Sequence, residues 1–369
     1  MSLRGEARKI YWSFRSFTDF KRPICAVYGP FVTGNLGDEA ALYTASDLLG
    51  LELKVISSQT YRRIPLNLRF LYCGLGGCFN GDTPYQMLKF LRRIKDKINF
   101  PLVMLSGGIN RDYDQRDYEK HYPAFIELLE HFDYVSVRDR KTARMLEGFG
   151  IKDFDIIPDL VMCMNPGIRS VDTAQQDKRT IGLILATHTG VVQKKYGLIF
   201  EELAAVARQL VRNGYRVVCI PFQQDIFSDP RKVIDEVSSA YDFVEKYSLG
   251  DSVAVLDHKM TPHKTLLFLK NEISHIISMR LHGNVMAARL GIPFLPLSYN
   301  DKIDAFLEML DIEDRIVRMD KDDFSAESIL KRFYDTDKNY SEENKRLVLM
   351  QERIQREIVD RIADIKRKI

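Results

Sequence analysis

Short apolar runs alternate with longer segments of helical period along the whole chain. In the first half, Ile24–Tyr28, Phe70–Cys73, Leu102–Leu105, Tyr134–Val137 and Phe154–Ile157 predict strands, because a strand covered on both faces is apolar throughout instead of alternating. Leu36–Leu49, Tyr85–Ile98, Tyr118–His131 and Lys141–Phe149 predict helices between them. A second series follows, with strands at Ile181–Ala186, Arg216–Ile220, Val253–Leu256, His275–Ser278 and Phe294–Leu297 and a helix from Asn284 to Leu290. Strand–helix alternation with right-handed crossovers predicts parallel, doubly wound sheets. Asn165–Arg179 is polar, aperiodic and contains Pro and Gly, which predicts a linker. The expectation is an α/β chain of two Rossmann-like doubly wound domains facing a cleft, residues 1–167 and 168–340. An amphipathic helix over 341–369 follows, with Leu347, Leu349, Ile354, Ile358, Ile362 and Ile365 as its apolar positions.

Composition agrees with this picture and narrows the function. A length of 369 residues exceeds what one core usually serves, and 45% hydrophobic with 28% charged residues describes a globular chain. A net charge of +3 gives no argument for a nucleic-acid partner. No apolar run reaches the roughly 18 residues of a membrane span, and no signal-peptide core opens the chain. Five scattered cysteines without a CxxC pair predict core residues in a reducing compartment, hence a cytoplasmic protein. No HExxH or paired Cys/His set occurs, so no metal is expected. The segment Arg4–Arg22 mixes basic and aromatic residues; such a segment can make peripheral contact with the inner membrane surface, but more often it is a helix packed on its own protein or a partly ordered tail, the reading favoured here.

The unusual clusters fall one step past predicted strands, where open parallel sheets bind ligands. Gly34-Asn35-Leu36-Gly37-Asp38-Glu39 leads from a strand into a helix. Its glycines allow close backbone approach, although Asp38 also reads as a helix cap. Gly74-Leu75-Gly76-Gly77 and Ser106-Gly107-Gly108 follow the next strands. Arg138 ends the fourth strand in Val-Arg-Asp-Arg, suited to a carboxylate or phosphate or else to a surface ion pair. Ser278-Met279-Arg280-Leu281-His282-Gly283 sets a cation and an imidazole past a buried strand; helix cap and surface charge is the bland alternative. Lys302 follows the next strand, and His188 follows the first strand of the second half.

Taken in order, GNLGDEAAL (Gly34–Leu42), GLGG (Gly74–Gly77), VSVRDRKTARML (Val135–Leu146), IIPDLV (Ile156–Val161), VVCIPFQQD (Val217–Asp225) and SMRLHGNVMAARLGIPFLPLSYNDKI (Ser278–Ile303) resemble the polysaccharide pyruvyl transferase family. The resemblance implies a GT-B-like fold whose C-terminal helix returns to the first domain. It implies a pyruvate ketal formed on a sugar of a cell-surface polysaccharide or exopolysaccharide, or of its precursor. Phosphoenolpyruvate is then a substrate, with no cofactor, and the sugar acceptor is lipid-linked, polymeric or nucleotide-linked. On that resemblance Arg138, Arg280 and Lys302 bind the donor anion and His282 is the general acid/base. Asn35, Asp38, Gly76, Gly77 and His188 are acceptor or cleft candidates, with the first domain on the acceptor side. Two departures, GGC at Gly76–Cys78 and SGGINR at Ser106–Arg111, lie in that domain and touch the acceptor's identity. The competing readings are a GT-B glycosyltransferase using a nucleotide sugar and a non-catalytic sugar- or anion-binding module.

Overall fold

The computed structural model describes residues 24–28, 34–56, 68–73, 87–89, 91–92, 101–108, 123–165, 179–186, 196–224, 235–257, 260–321 and 323–368. The basic aromatic segment Arg4–Arg22, the candidates Gly76, Gly77 and His188, and most of the expected linker lie outside the described residues.

Six strands form the first sheet: β1 (Ile24–Tyr28), β2 (Glu52–Ile56), β3 (Leu68–Cys73), β4 (Leu102–Gly107), β5 (Tyr134–Val137) and β6 (Asp155–Ile156). Their order is β2-β1-β3-β4-β5-β6, and the pairs are parallel. The second sheet holds β7 (Thr180–Ile184), β8 (Arg216–Cys219), β9 (Val253–Val255), β10 (His275–Ser278), β11 (Phe294–Ser298) and β12 (Val317–Arg318). Its order, β12-β11-β10-β7-β8-β9, is again parallel. With β7 counted as the first strand, this is the doubly wound order of dinucleotide-binding domains, and the direction in which strands are added reverses between β7 and β10. Ligands of such sheets bind at that reversal, beyond the carboxyl ends. The expected strands all occur within a few residues of their predicted bounds. The two that pattern missed, β2 and β12, are edge strands: one opens with charged residues and the other is two residues long.

Helices described over their full length are α1 (Leu36–Leu49), α2 (Arg140–Gly148), α3 (Tyr196–Arg212), α4 (Glu236–Lys246), α5 (Pro262–Glu272), α6 (Leu281–Leu290), α7 (Asp301–Met309), α8 (Ala326–Lys338) and α9 (Tyr340–Lys368), and residues 123–129 are helical as well. Capping chemistry sets several starts. Asp139 accepts from the Thr142 N–H at α2, Asp235 from the Val237 N–H at α4, and Asn300 from the Lys302 N–H at α7. Thr261 caps α5 with Pro262 in its first turn, where the missing N–H costs nothing. Helix α6 begins three residues before the predicted Asn284, so His282 lies in its first turn.

The chain divides into two compact units. One comprises β1–β6, α1 from Ala45 onward and α9 from Ile358 onward; the other holds the chain through Thr44 from Gly34, and Asp159–Glu357. This differs from the expected boundaries in three places: the second unit starts at Asp159, runs on to Glu357 instead of 340, and takes in the GNLGDEA segment. Met104, Phe125, Leu128, Val137 and Leu146 belong to the core of the first unit. Ile181, Leu183, Phe200, Leu203, Val217, Phe243, Ile277 and Leu297 belong to that of the second. Each such side chain is worth about 1.5–3 kcal/mol on burial. Along α9, Leu347, Ile354, Ile358, Ile362 and Ile365 are buried, whereas Leu349, expected on the same face, is 67% exposed. Two residues beyond Leu347, it is turned about 200° around the helix.

Candidate functional site

The second unit builds its cluster on the turn from β10 to α6. Ser278, the last residue of the buried strand, accepts from the Arg280 N–H (3.0 Å) and donates to the Arg280 carbonyl (2.9 Å). That local clasp fixes Arg280 at the N-cap position of α6 in extended geometry, with no side-chain cap of its own. Both Arg280 and His282 therefore leave the carboxyl edge of β10, at the reversal point of the sheet.

His282 is held on two sides. Its Nε2 lies 3.3 Å from Asp159 Oδ2. Asp159 is 8% exposed, and its other oxygen accepts from the Val161 N–H at 3.0 Å, capping a short 3-10 turn over Leu160–Cys163. Gly37 packs on the opposite side. A Cβ built there would come within 1.9 Å of Nδ1, 2.3 Å of Cγ and 2.7 Å of Cε1 of His282. Those three distances put the missing methyl over the ring face, so Gly37 supports the imidazole without covering its Nδ1 edge. Only glycine permits that approach. Gly37 is itself set by Asn35, whose Oδ1 accepts the Gly37 N–H at 3.0 Å and whose carbonyl accepts the Glu39 N–H. Asn35, not Asp38, thus occupies the capping position of α1.

The GNLG turn is anchored to the segment after β8. Leu36 N–H donates to the Phe222 carbonyl (2.9 Å), Gln224 N–H donates to the Gly34 carbonyl (3.0 Å), and Asn35 bridges Gln223 antiparallel. Glu236, in the first turn of α4 and 3% exposed, closes the assembly. Its Oε2 accepts from the Phe222 and Gln223 N–H groups, both at 2.9 Å. Its Oε1 accepts from Arg280 Nε at 2.9 Å and from Arg280 Nη2. Beside this turn, Glu39 is held above the ordinary carboxylate range by burial, opposed by a hydrogen bond from the Gly34 backbone and reinforced by the Asp38 charge.

A separate cluster sits in the first unit, at the carboxyl ends of β4 and β5. Arg138 is 6% exposed. Its N–H donates to the Gly107 carbonyl at 2.9 Å, and its Nε lies 3.4 Å from Asp139 Oδ2. Asp139 spends its other oxygen on the α2 cap. Among the described residues, the buried Arg138 Nη2 has no hydrogen-bond partner. Gly108 lies flat against the guanidinium: a Cβ there would be 2.3 Å from Nε. Just before it, Ser106 adopts a φ of 52°, a left-handed conformation that costs a non-glycine residue about 1 kcal/mol or more. It is held by the Ser136 hydroxyl on its N–H (3.0 Å) and by its own hydroxyl on the Pro158 carbonyl (3.2 Å).

Of the residues singled out by sequence, Asn35, Asp38, Arg280, His282 and Lys302 belong to the second unit and Arg138 to the first. Asn35 is brought to His282 through Gly37. Lys302 stands in the first turn of α7, past the neighbouring strand β11, and Asp38 in the first turn of α1, both half-buried. Two side chains of the cluster were not singled out by sequence. Asp159 lies inside the quoted IIPDLV run, just past the predicted strand, but no spacing tied it to His282. Glu236 sits in a polar stretch, Asp235-Glu236, that reads as ordinary helix-start acid.

A model of the polysaccharide pyruvyl transferase family matches residues 35–301. The chain belongs to that family. The match opens at Asn35 and runs through Arg138, Asp159, Glu236, Arg280 and His282, so both clusters of this pyruvyl transferase family member lie inside it. A search of curated proteins finds no match to the sequence. Among solved structures, S. aureus MnaA with UDP is similar at a TM-score of 0.56 and 10% identity, covering 88% of this chain and 90% of that one. HepE of Anabaena with UDP-glucose has a TM-score of 0.55 and 12% identity, with 94% and 100% covered. A glycosyltransferase of Rickettsia africae has 0.54 and 9%, with 95% and 99% covered. At such identities the likeness shows the fold: a Rossmann-like, GT-B-like α/β architecture. No described helix is long and apolar enough to cross a membrane.

Proposed function

We propose that this family member transfers pyruvate from phosphoenolpyruvate to two hydroxyls of one sugar, in a polysaccharide or its precursor, forming a cyclic ketal. Two hydroxyl oxygens bond to C2 of the donor as its bond to the phosphate oxygen breaks, the electron pair leaving with phosphate. C3 gains a proton and becomes a methyl group. Of the two hydroxyl protons, one thus ends on C3 and the other on phosphate. The residue that moves them is His282. Asp159 takes its Nε2 side, so Nδ1 exchanges protons with the reactants, the orientation logic of a histidine steadied by a carboxylate.

The donor carries a carboxylate and a phosphate, and Arg138, Arg280 and Lys302 are the cations assigned to them. Asn35, Asp38, Gly76, Gly77 and His188 remain the acceptor candidates. The reaction uses an intracellular metabolite, which puts it in the cytoplasm, with the acceptor at the inner membrane surface if it is lipid-linked. The observation that carries the proposal is the oriented His282, clamped between Asp159 and Gly37 in a chain of this family. The test is incubation with carbon-labelled phosphoenolpyruvate and a panel of sugar acceptors. A new ketal methyl signal with one phosphate released per product supports it; phosphate release without ketal, or neither, rejects it.

A second reading has its own support. MnaA and HepE, similar in fold, were solved with UDP and UDP-glucose. On that reading the chain is a glycosyltransferase acting on a nucleotide sugar, and the same panel run with UDP-glucose and no phosphoenolpyruvate would give a glycosylated acceptor.

A further inference from the structure

Beyond the acid/base and anion-binding groups, one buried carboxylate joins Arg280 to the backbone that carries the GNLG turn. Glu236 has four donors on its two oxygens: two backbone N–H groups on one and the Arg280 guanidinium on the other. Its own N–H donates to the Gln223 carbonyl at 2.9 Å, so the residue is pinned at both ends. The backbone it grips, Phe222–Gln223, is the same backbone that pairs with Gly34–Leu36. That turn presents Gly37 to the His282 ring.

A buried charge with one partner would be costly, and here each oxygen of the carboxylate is satisfied twice. An apolar pair of equal volume would fill the space at no such risk, so stability alone does not account for the arrangement. What a rigid four-donor carboxylate supplies is geometry. The guanidinium cannot rotate without losing its fork, and the GNLG turn is bonded to a segment, Phe222–Gln224, that Glu236 holds in place at Phe222 and Gln223.

We infer that Glu236 is the positioning residue of this site, fixing Arg280 toward the donor anion and, through Phe222–Gln223 and the Asn35–Gly37 turn, fixing the His282 ring. The inference rests on the proposed pyruvyl transfer for its catalytic consequence but not for its structural one.

The test compares Glu236→Gln with Asp235→Ala. The glutamine keeps the volume, but its NH2 must oppose either Arg280 or the two backbone N–H groups. The alanine removes only the cap of the same helix α4, whose side chain accepts from Val237 and Ser238. Amide hydrogen exchange over Gly34–Leu42 is expected to quicken by about tenfold or more in Glu236→Gln and to stay at the wild-type rate in Asp235→Ala. With phosphoenolpyruvate, kcat should fall about tenfold or more in Glu236→Gln, by a larger factor than KM rises, and stay within about twofold in Asp235→Ala. Equal exchange in the two variants, or an undiminished kcat in Glu236→Gln, overturns the inference. If Glu236→Gln does not fold, Glu236→Asp, a methylene too short to reach both sides, carries the same comparison. Should the wild type transfer no pyruvate, the proposed function fails by itself, and the exchange measurement still decides whether Glu236 holds the turn.

Discussion

The two units each set an arginine past the end of a parallel strand, Arg138 buried and Arg280 half-buried, and they treat it in opposite ways. Arg280 has its Nε and Nη2 taken by Glu236, inside a network whose other members hold the GNLG turn. Among the described residues, the Arg138 side chain has only the 3.4 Å approach of Asp139, a carboxylate already employed as a helix cap, and a buried Nη2 with no partner. A buried guanidinium left partly unsatisfied is expensive, which fits the donor-anion role proposed for Arg138. The strained Ser106 and the Cβ-free Gly108 beside it are features a mere surface ion pair would not require. Under the proposed function the difference fits two tasks: the first unit would offer a preformed anion-binding group, and the second would hold an imidazole in place.

The largest effect expected is His282→Ala, which should lower kcat about 100- to 10,000-fold with the melting temperature nearly unchanged. A modest loss would move the proton chemistry elsewhere and end the division of labour just drawn. Next comes Arg138→Ala, expected to weaken phosphoenolpyruvate binding about 10- to 100-fold by calorimetry, the worth of charge-assisted hydrogen bonds of about 1.5–3 kcal/mol. Arg138→Lys should not restore it, because an ammonium lacks the planar fork. Gly37→Ala probes the second unit without removing any functional group. Its methyl would overlap the His282 ring, and kcat should fall about tenfold, with little change in KM, as the ring is displaced.

The smallest effect falls on stability and sharpens the contrast within one strand, since β10 begins with a histidine as well as leading to one. His275 is buried against Phe333 and Tyr340, with Ser274 at its Nδ1 and Asp337 at its Nε2. Burial lowers its pKa to about 4, although Asp337 pulls the other way. The folded value is below the unfolded one near 6.5, so the stability it brings is fully present above pH ~6.5 and is lost as pH falls toward 4. Urea midpoints should fall as the pH drops between those values, and the fall should be flattened in His275→Phe.

How much of this was legible in sequence follows from which signals are local. The strands were read because parallel strands are apolar throughout, and Arg138, Arg280 and His282 because each directly follows such a run. The same logic hid Asp159, which sits within apolar Ile156–Val161, and could not see Glu236, 44 residues before its partner Arg280. Burial of a helix-start acid is decided by what folds over it, here Phe222–Gln223 and Arg280, and no spacing rule reports that. The placement of GNLGDEA in the second unit was hidden for the same reason: the segment follows β1 in the chain, but its backbone partners are Phe222 and Gln224. The start of α6 was misplaced because Arg280 begins the helix without a capping side chain.

The most direct test of the account is a thermal-shift titration of the wild type and Arg138→Ala with phosphoenolpyruvate, set beside UDP-glucose. The account predicts stabilisation of the wild type by phosphoenolpyruvate and loss of that stabilisation in Arg138→Ala. Stabilisation by UDP-glucose alone, or by phosphoenolpyruvate equally in both proteins, would contradict it.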